Sequence, residues 1–125
     1  MALDSNWAVV AALDYNDDDA TDLLWYNSTS GKAVIWYMNA SVVRITGSFT
    51  TPANAGDNNW KILASSDYGI GAGGIAGTND IVWRNETSGR FVVWYMNNAG
   101  TRTNGTFTTP DSPTSPLSWT IVGPR

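Results

Sequence analysis

Residues 22–39 read DLLWYNSTSGKAVIWYMN, and residues 80–97 read DIVWRNETSGRFVVWYMN. The two stretches lie 58 positions apart and share 11 of their 18 residues. Self-similarity at a fixed period marks a repeat architecture, so the repeat is delimited before any element is assigned. Downstream, GSFTTP at 47–52 matches GTFTTP at 105–110 at the same offset. Upstream, NWAVVAALDY at 6–15 matches NWKILASSDY at 59–68 at an offset of 53, so five residues are inserted after Tyr68. A third copy opens with SWTIVG at 118–123 and goes no further. The chain of 125 residues therefore divides into a first unit at 6–52, a second at 59–110 and an orphan segment at 118–123.

Each unit reads as β-structure. WAVVAAL at 7–13 is a short apolar run, and DLLWYN and AVIWYMN are rich in aromatic and β-branched residues. Ser28-Thr29-Ser30-Gly31 between the last two has the composition of a hairpin loop. Val42–Phe49 predicts a more polar fourth strand, ended by Pro52, and Pro110 ends its counterpart, because proline cannot donate to a ladder. No segment holds an apolar period of 3.6, so no helix is expected. Trp36 and Tyr37 are adjacent and must point to opposite faces of a strand, as must Trp94 and Tyr95. Both faces then need cover. Four strands with both faces buried describe a blade of a β-propeller, in which sheets stack around an axis. The expected fold is all-β, with two four-stranded antiparallel blades. Trp25, Trp36, Tyr37, Trp83, Trp94 and Tyr95 are its expected blade-interface residues.

Composition narrows the function. Charged residues make up 14% of the chain, against about 25% in an ordinary domain. Twelve Asn, 14 Thr and 11 Ser take their place, beside seven Trp. That aromatic content excludes a disordered chain, and no apolar run is long enough for a membrane helix. A net charge of −4 speaks against a nucleic-acid partner. The absence of His and Cys removes the usual general base, the Ser-His-Asp triad, disulfides and thiolate or imidazole metal ligation. No signal peptide is visible at the N-terminus, so an exported form would have lost its leader or carry it outside this sequence.

Asp14-Tyr15-Asn16-Asp17-Asp18-Asp19-Ala20-Thr21-Asp22, followed by Leu-Leu-Trp, resembles the FG-GAP/VCBS propeller repeat, whose pattern is Asp-Phe-Asn-Gly-Asp-Gly-x-x-Asp and an apolar strand. The entry strands at Trp60-Lys61-Ile62-Leu63 and Trp119-Thr120-Ile121-Val122-Gly123 fit that family, as does the Val-Trp-Tyr-Met-Asn strand at 93–97. The resemblance implies seven blades closed within one chain, calcium in the Asp loops, and an extracellular or cell-surface setting in adhesive or sugar-binding proteins. The family carries Gly where this chain has Asp17 and Asp19, and Asp is tolerated at positive φ only at some cost.

Two blades do not make a ring, which takes about four to eight. A free pair would leave large apolar faces in water. Assembly around a rotation axis resolves this, because heterologous contacts close when the rotation fits. A homotrimer would have six blades and a homotetramer eight; seven is excluded for identical two-blade chains. The orphan segment complicates the count, since SWTIVG competes for a place already filled by Asn6–Leu13 of a neighbour. The alternative is a piece of a longer propeller, natural or engineered, with no ligand of its own.

Five of the 11 carboxylates fall between Asp14 and Asp22. Calcium takes six to eight hard oxygen ligands. Asp14, Asn16, Asp18 and Asp22 occupy the first, third, fifth and ninth places, and Ala20 at the seventh offers its carbonyl. That is the ligand order of an EF-hand-like loop without its helices. A calcium ion is therefore expected in the first repeat. In the second, Asp67 and Asp80 are 13 apart and the middle carboxylates have become Gly and Ala, so calcium is not expected there. Gly69–Gly74 matches G-x-G-x-x-G, but a strand rather than a helix is expected next, which excludes a dinucleotide site.

Repeated Trp residues belong first to the core. A sharper reading stacks a sugar on some of them, with Asn and Thr as hydrogen-bond partners, and the loops near Trp7, Trp60 and Trp119 leave room for it. N-x-S/T triplets occur at Asn27, Asn39, Asn85 and Asn104; Asn27 and Asn85 start the hairpin loops, where turn chemistry explains them. A glycosidase pair would have to come from Asp14–Asp22, Asp67, Asp80 and Glu86, and the clustered carboxylates share a loop and look like ligands rather than a paired acid and nucleophile. The expectation is a non-catalytic, calcium-stabilised binding module that associates with itself and suits carbohydrate.

Overall fold

The computed structural model describes residues 4–68 and 78–109. These described residues form eight strands: β1 (Trp7–Leu13), β2 (Asp22–Asn27), β3 (Ala33–Met38), β4 (Arg44–Phe49), β5 (Trp60–Ser66), β6 (Asp80–Asn85), β7 (Phe91–Met96) and β8 (Arg102–Phe107). They form two antiparallel four-stranded sheets in the orders β1-β2-β3-β4 and β5-β6-β7-β8. The described residues contain no helix. The orphan segment at 118–123, Pro110 and the glycines at 69–74 lie outside the described residues.

The sequence repeat is a structural repeat down to its irregularities. The β1–β2 ladder shifts register between Val9 and Ala11, and the β5–β6 ladder shifts at the equivalent Ile62 and Ala64. The β3–β4 ladder shifts between Tyr37 and Met38, and the β7–β8 ladder between Tyr95 and Met96. The β2–β3 hairpin closes as its composition predicts. Asn27 Oδ1 accepts the N–H groups of Thr29 and Ser30, and Gly31 takes φ +73°. Asn85, Thr87, Ser88 and Gly89 repeat this in the second sheet.

One boundary differs from the sequence expectation. The fourth strand begins at Arg44, not at Val42. Asn39 Oδ1 accepts the N–H groups of Ser41 and Val43, which folds 39–43 into a turn. Val42 is left at φ +62°, outside the β region. Its counterpart at the same place in the second sheet is Gly100, at φ +72°.

Alternation along the strands gives each sheet two faces. Val9, Leu23, Trp25, Val34, Trp36 and Phe49 share one face of the first sheet; Leu24, Tyr26, Ala33, Ile35 and Tyr37 share the other. The second sheet repeats both sets. The two sheets meet in unlike faces: the Leu24–Tyr26–Ile35–Tyr37 face of the first packs on the Ile62–Ile81–Trp83–Trp94 face of the second. Tyr26 meets Trp83 edge-on with ring centroids 6.2 Å apart, and its hydroxyl donates to the Trp60 carbonyl at 2.8 Å. Tyr15 Oη and Ser65 Oγ are 2.7 Å apart across the same contact. A parallel bridge joins Thr51 to Thr101 at the edge.

Candidate functional site: the acidic loop before β2

The loop between β1 and β2 is organised by its own carboxylates. Asp14 Oδ1 accepts the N–H groups of Asn16 and Asp18, each at 3.3 Å, and its Oδ2 accepts that of Asp19 at 2.8 Å. Asp18 Oδ1 accepts the Ala20 N–H at 2.9 Å. These bonds curl the chain tightly, and Asp17 and Asp19 take φ +60° and +65°. Short polar residues are the ones that tolerate that region best after glycine. From the other sheet, Asn79 Nδ2 donates to the Asp14 carbonyl at 2.6 Å and ties the loop down.

Of the five expected ligands, three carboxylates converge. One oxygen from each of Asp14, Asp18 and Asp22 lies within 4.8 Å of the others. Asn16 Oδ1 is buried and has no hydrogen-bond partner. Ala20 is buried, while Asp17 and Asp19 are exposed. Asp22 is fully buried, and burial pushes its carboxyl up from the usual carboxylate range. Two backbone N–H bonds oppose that shift, and the nearby Asp18 and Asp14 add to it. An all-oxygen donor set with an excess of negative charge suits a hard cation.

Asp22 also has a duty that the spacing argument missed. Its Oδ2 accepts the Tyr15 N–H at 2.9 Å and its Oδ1 accepts the Met38 N–H at 2.8 Å. Asp80 does the same in the second sheet, accepting from Tyr68 at 3.0 Å and Met96 at 2.9 Å. There Asp67 keeps the place of Asp14, but the carboxylates between the first and last Asp are gone. The pair Asp22 and Asp80 thus fastens loop to β3 or β7 whether or not a cation can be held. The signal was present in the sequence: this Asp is retained in a repeat whose loop has lost its middle carboxylates.

The six expected interface aromatics divide by position. Tyr37, Trp83 and Trp94 lie between the two sheets. Trp25 and Trp36 lie on the outer face of the first sheet, their centroids 4.8 Å apart; Trp83 and Trp94 reproduce that pair at 4.9 Å. Tyr95 is buried on the far face of the second sheet. At the strand ends, Trp7 faces Phe49 at 6.3 Å, and Trp60 faces Phe107 at 6.5 Å. The second pair borders a groove of about 240 Å³ with Arg102 and Thr106 at its edge. Comparisons with protein-family models, with curated proteins and with solved structures returned no match.

Proposed function

We propose that this chain is a non-catalytic binding module of the propeller type. In this reading its acidic loop holds calcium and copies of the chain complete its ring in an extracellular setting. The observation that carries the cation is the convergence of Asp14, Asp18 and Asp22 beside the partnerless Asn16 Oδ1. Asp14, Asn16, Asp18 and Asp22 would hold the ion with the Ala20 carbonyl. Bound there, it neutralises the loop and tightens the turn that starts β2.

The test separates binding from architecture. Asp14→Ala and Asp18→Ala remove loop hydrogen bonds and should lower the melting temperature slightly under chelator, and clearly more when calcium is present. Equal losses in both conditions would refute the metal assignment.

Carbohydrate is the ligand class that this chain suits, through apolar sugar faces on Trp and hydroxyls on amides. The Trp60–Phe107 groove supports it, with an aromatic floor and the polar side chains of Arg102 and Thr106 at the rim. Identical weak sites around a ring would then gain avidity together. Saturable binding on a glycan array is the expected result. No saturable binding would leave the chain as a purely structural assembly unit.

A further inference from the structure

The contact between the two sheets joins unlike faces, and the molecule leaves one of each without a neighbouring sheet among the described residues. The outer face of the first sheet carries Val9, Leu23, Trp25, Val34 and Trp36, the same set that the second sheet buries as Ile62, Ile81, Trp83, Val92 and Trp94. Trp83 and Trp94 are buried, with 0% and 2% of their surface exposed, whereas Trp25 and Trp36 are only half-buried. Trp83 and Trp94 have the first sheet packed on them. The outer face of the second sheet carries Val82, Arg84, Val93 and Tyr95, in the places of Leu24, Tyr26, Ile35 and Tyr37. On it Arg84 and Val93 are half-buried, while Val82 and Tyr95 are already buried in the single chain, with 6% and 7% of their surface exposed.

We infer that the outer face of β1–β4 is the docking surface for β5–β8 of a second copy of this chain, in the register of the internal contact, and that Val42 holds this contact weaker than the internal one. The inference rests on the reading above, in which copies complete the ring, and says which faces meet. A groove of about 430 Å³ on the outer face is bordered by Leu23, Met38 and Val42. Of their counterparts, Gly100 lies directly against Tyr37 within the chain, and Ile81 and Met96 share a buried cluster with that ring. In the copy, Tyr95 stands where Tyr37 stands. Arg84, whose guanidinium lies 5.2 Å from the Phe91 ring centroid, stands where Tyr26 stands and would come near Trp25. The Thr51–Thr101 bridge has its counterpart in Thr109 of one copy and Val43 of the next. Within the chain, Thr51 donates to the Gly100 carbonyl and accepts from the Arg102 N–H.

Val42 is the mismatch. A Cβ placed on Gly100 would stand 2.9 Å from Tyr37 Oη and 3.3 Å from Ile35 Cδ1. Val42 has that Cβ and two methyl groups beyond it, 79% exposed and at φ +62°. Docking Tyr95 beside it requires the valine or the tyrosine to move.

The test is sedimentation velocity over a concentration series on the full chain. Wild type should form a concentration-dependent oligomer. Val42→Gly should lower the midpoint concentration of assembly at least tenfold. Val9→Glu, at a site 46% exposed in the single chain, should block assembly while leaving the circular dichroism of the monomer intact. Val93→Glu blocks the other face; mixing the two blocked variants should give a 1:1 dimer that neither forms alone. An oligomer indifferent to Val9→Glu, or a midpoint unmoved by Val42→Gly, overturns the face assignment and leaves self-association standing. Monomer at every concentration for both wild type and Val42→Gly overturns the two together.

Discussion

A carboxylate that accepts two backbone N–H groups is hard to replace, and Asp80 is the cleaner of the two examples because the sequence between Asp67 and Asp80 carries no other carboxylate. Its oxygens receive the Tyr68 and Met96 N–H groups, joining the end of one loop to the last residue of β7. An amide in its place offers one acceptor and turns an NH₂ toward the second N–H. Leaving a buried donor unsatisfied costs about 1–3 kcal/mol. Asp80→Asn should therefore destabilise the chain by about that amount in urea titrations, identically with calcium and with chelator. Asp22→Asn should carry the same loss and also abolish any calcium response. A calcium-dependent penalty at Asp80 would contradict the structural role. The sequence made Asp22 legible as a candidate ligand but not as a fastener, since ligand spacing and backbone capture use the same residue type. Only comparison of the two loops separates them.

At the scale of strands and turns, most of the structure was legible, because the local chemistry agrees with the global pattern. Strands β1, β2 and β3 fall where the apolar runs fall, and Asn27-Ser-Thr-Ser-Gly31 closes the hairpin as its residues dictate. The turn after β3 was not legible. Val42 and Val43 look like strand residues, yet Asn39 captures two N–H groups and forces a left-handed residue at position 42. A β-branched residue is the worst choice there, and nothing in its identity announces it. The equivalent Gly100 shows what the turn prefers. Gly31 is constrained more tightly still. It has φ +73°, and an added Cβ would stand 2.6 Å from the Asp57 carbonyl oxygen in the segment leading to β5. Gly31→Ala combines left-handed strain of about 1–2 kcal/mol with that collision. The expected loss in a urea titration exceeds about 2 kcal/mol, and it should loosen the second sheet as well as the hairpin. Hydrogen exchange slowed equally in both sheets of the variant and the wild type would refute that.

For the molecule as a whole, what sequence could not place was which face of each sheet is covered. Alternation assigns Trp25 and Trp83 to the same side of their sheets, but only the docking of one sheet on the other buries Trp83 and leaves Trp25 half-open. Two tyrosine hydroxyls hold that docking, and both must stay protonated. Tyr26 donates to the Trp60 carbonyl, and burial, aided by Glu86 and Asp57, pushes its phenol up to about 12. Tyr15, beside Ser65 Oγ, is raised further by burial, with the hydrogen bond to Ser65 offsetting part of the shift. A folded-state pKa above the ordinary value of about 10 means that the neutral form is favoured on folding. The stability that this gives is fully present below about pH 10 and is lost as pH rises through the folded-state value. The urea midpoint of the wild type should accordingly fall between pH 10 and about 12, where Tyr26 ionises. Tyr26→Phe loses the bond to Trp60, a cost of about 1 kcal/mol at neutral pH, but has one fewer phenol to ionise. Its midpoint should decline less steeply over the same window, and Tyr15→Phe combined with it should flatten the decline further. The two lysines also lose charge in this range, but they are common to all three proteins and cancel in the comparison. Parallel declines in wild type and both variants would mean that the two sheets are not held by these hydroxyls, and that apolar packing around Trp83 alone keeps them together.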